Sequence, residues 1–141
     1  NLITKIPKTN VSFLVINSLN VSDGLYNNGK KLGELLKEYF PNYCVNYYEV
    51  RNKTDFIRTM NENPSTFFIY YGHGSMPEMS RNQLAQIGKL HIGNEEINMI
   101  ELENSIKVAP VVTILGACQT QVLDSHYLNI GNMFLITDCC F

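Results

Sequence analysis

Apolar residues come in short dense runs along this chain, separated by polar stretches rich in turn formers. "VSFLVINSL" (11–19) is a continuous apolar run with β-branched residues, the pattern of a strand covered on both faces. "NVSDGLYNNG" (20–29) is dense in turn residues and reads as a loop. In "KKLGELLKEYF", Leu32, Leu35, Leu36, Tyr39 and Phe40 recur at the spacing of an amphipathic helix, and Pro41 stops it. "YCVNYYEV" (43–50) reads as a second strand, more polar and so nearer a sheet edge. Asn52 or Thr54 caps a short helix through Phe56, Ile57 and Met60, closed by Pro64.

The third strand is "TFFIYY", ending at Gly72. "SMPEMSRNQLAQIG" follows, too long for a tight connection and therefore a candidate functional loop. "KLHIG" reads as a short strand, and "NEEINMIELENSI" as a helix capped by Asn94 with acids in its first turn. "VVTIL" (111–115) is the fourth strand, leading into "GACQT", and "MFLIT" is a fifth. Strands alternating with helices predict an α/β layered domain around a mostly parallel sheet. There is no internal repeat and no low-complexity tract.

A length of 141 residues suits one domain with a real core. Apolar content of 45% and charged content of 17% are globular rather than disordered values. A net charge of -2 supplies no basic field for nucleic acid or anionic lipid. No apolar stretch is long enough to span a bilayer, and the N-terminus has no signal-peptide pattern. The chain starts at Asn1 and stops at Phe141 within a strand-like run, so a piece of a longer protein, or one product of processing, is expected. The cysteines at 44, 118, 139 and 140 lack zinc spacing, and the vicinal pair is a poor disulfide. No metal or cofactor is expected. Such usage fits a reducing compartment, with Cys44, Cys139 and Cys140 as core thiols.

Chemistry concentrates at two strand ends, "YYGHGS" and "LGACQT". Each is an apolar run ending in Gly and followed by a reactive side chain, His73 in one and Cys118 in the other. In parallel α/β sheets functional groups gather outside the carboxyl ends of the strands. If the third and fourth strands are neighbours, their tips lie about 5 Å apart. A thiol and an imidazole so placed suffice for nucleophilic acyl transfer. The N–H groups of Gly74 and Cys118 would receive the charge on the carbonyl oxygen. Nothing in the sequence marks a residue that orients the histidine, so a dyad is expected. The plain alternatives are a turn holding a satisfied histidine and a cysteine acting as a small hydrophobe. "GHGS" as a phosphate-cradling turn lacks the lysine and glycine spacing of a P-loop. His126 is a rival base, and His91 reads as a surface or packing residue.

At these motifs the chain resembles the caspase-like cysteine peptidases, and most closely CHAT domains. "YYGHGS", the insert "KLHIGNEEINMIEL" and "VVTILGACQT" carry the resemblance, which runs from the first strand to the fifth. Separase has a similar "GHGS" and Gly-Cys motif, but with its histidine and cysteine closer together than His73 and Cys118. The resemblance implies a caspase-like three-layer α-β-α sandwich over residues 1–141, as part of a larger multidomain protein. It implies His73 as the catalytic imidazole, Cys118 as the nucleophile and Gly74 with Cys118 as the oxyanion site. The loop after the first strand lies near the substrate in this group. Asp23 there would favour a basic P1 residue; otherwise "SDG" is an ordinary turn. The implied activity is a cysteine endopeptidase acting on a protein or peptide substrate. The resemblance also implies a large cytoplasmic protein, in which a partner or an attached helical-repeat or sensor region would switch the protease on, in a setting such as prokaryotic antiviral defence. The alternatives are a catalytically inactive scaffold or binding module and a small-molecule amidase.

Overall fold

The computed structural model describes residues 11–75 and 89–116 of the chain. In chain order these form β1 (Ser12–Asn17), α1 (Tyr26–Tyr39), β2 (Cys44–Glu49), α2 (Lys53–Glu62), β3 (Phe67–Tyr71) and β4 (His73–Ser75). Then come β5 (Lys89–Ile92), β6 (Glu95–Asn98), α3 (Met99–Ser105) and β7 (Val112–Gly116). The architecture is α/β. Four parallel strands form one sheet in the order β2-β1-β3-β7. Strands β4, β5 and β6 form a second, antiparallel sheet.

The two faces of the parallel sheet follow from residue parity. Leu14 and Ile16 of β1 and Phe68 and Tyr70 of β3 are fully buried in one apolar cluster. Phe56 and Met60 of α2 close over them, joined by Leu90, Ile92, Ile97 and Leu102 from the small sheet and α3. Phe56 meets Phe68 and Tyr70 edge to face, with centroids 6.4 and 5.7 Å apart. Burying each such side chain contributes about 1.5–3 kcal/mol. The opposite face carries Asn17, Tyr47 and Glu49, against which α1 lies through Tyr26. Full burial of Leu14, Val15 and Ile16 is what an apolar run covered on both faces should give. Among the described residues, the more polar β2 is indeed an outer strand. Cys44 opens that strand and is exposed, not in the core as its strand-like context had suggested.

The segment read as one helix from Asn94 divides differently. Gly93 and Asn94 form a two-residue turn between β5 and β6. Gly93 has φ +62, and any Cβ there would overlap the Arg51 carbonyl oxygen. Helix α3 starts only at Met99, where Asn98 and Glu101 form a reciprocal capping box. Helix α1 begins at Tyr26, inside the stretch read as loop, with no side-chain cap. Helix α2 keeps its predicted start: Asn52 Oδ1 accepts from Asp55 N–H at 2.8 Å. The expected fifth strand and the loop after Ser75 lie outside the described residues. No described helix is long and apolar enough to cross a membrane.

Strand order locates the place where ligands collect. The chain leaves β1 toward β2 on one side, then returns to lay β3 on the other. Winding therefore reverses between β1 and β3. In open α/β sheets the crevice outside the carboxyl ends of such a strand pair is the usual binding position.

Candidate functional site

Asn17 and Tyr71, the last residues of β1 and β3, face each other across that reversal. One further bond, Ser18 N–H to the Tyr71 carbonyl at 2.7 Å, extends the pairing past the strand ends. The loop that leaves β1 is then clamped by Asn17, which is fully buried. Its Nδ2 donates to the Tyr26 carbonyl at 3.0 Å, and its Oδ1 accepts from Leu19 N–H at 3.1 Å. One side chain thus ties down both ends of the loop that carries Asp23.

Asp23 sits in a tight turn at the entry to α1. Its N–H donates to the Asn20 carbonyl at 2.9 Å, and its carbonyl accepts from Tyr26 N–H at 3.1 Å. Its Oδ1 accepts from Leu25 N–H at 2.9 Å. The other oxygen, Oδ2, lies 2.7 Å from His73 Nε2. The Leu25 N–H first, and His73 second, hold the carboxyl below the usual aspartate value. The pair is open to solvent on one side, the imidazole about half exposed (56%) and the carboxylate less so (23%).

The glycine before the histidine has a packing reason. A Cβ on Gly72 would lie 2.5 Å from Tyr70 Cζ and 2.6 Å from Cε1. The phenol occupies the space of that missing side chain. Its hydroxyl donates to the His91 carbonyl at 3.1 Å, and burial pushes the phenol up to about 12. His91 is the partner of His73 in the β4–β5 ladder, and Leu90 is the partner of Gly74. Tyr70 therefore connects the core to β5, the strand that pairs with the one carrying His73. His91 Nδ1 itself lies 3.5 Å from Glu96 Oε1.

A polar network flanks the site at the end of β2. Tyr26 donates to both Glu49 carboxylate oxygens at 2.8 Å, and Tyr47 donates to Oε2 at 3.2 Å. Arg51 reaches Oε1 at 3.3 Å and the Asn17 carbonyl at 3.0 Å. Asn17 Nδ2 also donates to the Tyr47 hydroxyl at 3.0 Å, joining this network to the loop clamp. Glu49 keeps the Tyr26 phenol above its usual value, and burial takes Tyr47 to about 12.

Of the residues singled out in the sequence, His73 and Asp23 come together, with Gly74 beside His73 on β4. Cys118 lies outside the described residues, as do His126, Cys139 and Cys140. The strand that precedes Cys118 is described. β7 pairs in parallel with β3, and Tyr71 stands opposite Gly116. His73 and Cys118 each follow their strand's last residue by two positions. The sequence reading missed Asn17 and Tyr70. A lone Asn closing the apolar run "FLVIN" was the available signal for the first. No group of His, Cys, Asp and Glu among the described residues is arranged to hold a metal. Compared with known proteins, the chain matches no family model and no curated protein.

Proposed function

We propose that this chain is a cysteine endopeptidase domain of caspase-like three-layer build, acting through His73 and Cys118 on a protein or peptide substrate in the cytoplasm. The observation that carries the reading is the parallel pairing of β3 with β7, Tyr71 opposite Gly116. The segments bearing the imidazole and the thiol thus leave neighbouring strand ends, at the edge where α/β sheets concentrate chemistry. The position of Asp23 and His73 at the β1/β3 reversal supports the same edge.

In this reaction the Cys118 thiol gives its proton to His73, and the thiolate attacks the scissile carbonyl carbon. The carbonyl oxygen gains the charge and is met by the Gly74 and Cys118 N–H groups, each such donor contributing roughly 2.7–4 kcal/mol to the barrier reduction. Collapse breaks the C–N bond as the imidazolium returns its proton to the leaving amine. A thioester remains. Water, deprotonated by the same imidazole, then releases the acid and restores the thiol. β4 is the outer strand of its sheet among the described residues, which suits Gly74 to a role at an open edge.

The test is Cys118→Ala and His73→Ala, assayed separately on a peptide library with any activating partner present. Near-complete loss in each is expected; retained cleavage in both overturns the reading. Selective alkylation of Cys118 separates the peptidase from an inactive scaffold. Because the Cys44 thiol is exposed, that labelling belongs in a Cys44→Ser background.

A further inference from the structure

His73 has two ring nitrogens, and an acid–base role depends on which one is free. Asp23 bears on that choice. A carboxylate has no proton to give, so the ring nitrogen that meets it must carry the hydrogen. We propose that Asp23 is the positioning residue of His73: by accepting from Nε2–H it fixes the ring tautomer and leaves Nδ1 as the nitrogen that exchanges protons with the reacting thiol. The identity of the reacting partner rests on the peptidase reading; the tautomer does not.

The observations supporting the role are independent of one another. The separation of 2.7 Å falls in the charge-assisted range. Asp23 does not rely on His73 for its place, since Leu25 N–H holds its other oxygen and Asn20 and Tyr26 hold its backbone. Asn17 fixes both ends of the loop. The Ser18–Tyr71 bond couples that loop to the strand leading into His73. The acceptor is therefore in place before the imidazole arrives, which is what orienting a ring requires.

Asp23→Asn is the diagnostic change. The amide oxygen can keep the Leu25 N–H, which preserves the turn and directs the NH₂ group at Nε2. The ring must then accept at Nε2 and carry its proton on Nδ1, where it blocks the base. Long-range 1H–15N correlation on the full chain, at a pH where the ring is neutral, reads this directly. The expected result is a protonated Nε2 and bare Nδ1 in the wild type, reversed in Asp23→Asn. A wild-type proton on Nδ1, or the same tautomer mixture in both proteins, overturns the proposal. In peptide cleavage kcat should fall about 10⁴-fold with KM nearly unchanged, the size of a wrong-tautomer defect. An unchanged kcat, or an effect on KM alone, overturns it. If the wild type cleaves nothing with any activating partner present, the peptidase reading fails, and the tautomer still decides the role of Asp23.

Discussion

Asn17→Ala tests the foundation of the site. The side chain is fully buried and makes three hydrogen bonds, to the Tyr26 carbonyl, the Tyr47 hydroxyl and the Leu19 N–H. Each is worth about 1 kcal/mol net, and the partners left behind include a buried N–H and a buried carbonyl. A water entering the vacated polar space would recover part of the loss. The expected destabilisation is about 2–4 kcal/mol, a large share of the about 5–15 kcal/mol that holds a domain together. Urea unfolding of the full chain should show the midpoint falling by about 1.5 M, taking a slope near 2 kcal/mol/M, with the slope itself unchanged. Asn17→Asp is the isosteric control. It keeps the volume, removes both donors and sets a carboxylate oxygen against the Tyr26 carbonyl, so it should destabilise at least as much. A loss below about 1 kcal/mol in the alanine variant, or tolerance of the aspartate, would refute the clamp.

Gly72→Ala should cost about 2–4 kcal/mol, from overpacking against the buried Tyr70 ring plus loss of its bond to the His91 carbonyl. A change under about 0.5 kcal/mol by denaturant unfolding would show that the ring has room to move. The Asp23 carboxyl should titrate below its ordinary 3.8, held there by the Leu25 N–H and then by His73. Since the folded value is the depressed one, the contribution is complete above the ordinary value and fades as pH falls through the lower one. Carboxyl ¹³C shifts followed by NMR check this. His73→Ala should return the midpoint part of the way, and a wild-type midpoint at or above 3.8 would contradict it.

Local pattern was enough for most of the described elements. The unbroken apolar run around Val15, the i, i+3, i+4 spacing around Leu35 and the Asn52 cap each reflect forces acting within a few residues. The β5–β6 hairpin was missed because Asn94 and the following glutamates satisfy the rules for a helix start. The competing signal, Gly-Asn between "KLHI" and "EEIN", was present. Partnership between Asp23 and His73 was not legible at all. It spans 50 residues and arises only because β3 pairs with β1 rather than with β2, which precedes it in the chain. Asp23 read alone offers a turn or a charge; only strand order supplies the imidazole.

The two ends of the parallel sheet are built on opposite principles. At the amino end Phe13 stacks on Phe67 at 5.0 Å and meets Phe40 at 5.3 Å, with Tyr43 beside them. That closure is apolar and non-directional, and many side-chain sets of similar volume would serve. At the carboxyl end the chain uses Asn17, Tyr26, Tyr47, Glu49 and Arg51 in a bonded polar network. Polar groups taken from water gain little net stability, and losing one partner costs more than the bond was worth. A fold under pressure for stability alone would gain more from the aromatic solution at both ends. What the polar network gives in return is direction: each bond fixes an atom, and the chain of bonds runs from Glu49 through Tyr47 to Asn17, which anchors the loop bearing Asp23. The asymmetry marks the carboxyl end as the place where position matters, without reference to the identity of His73.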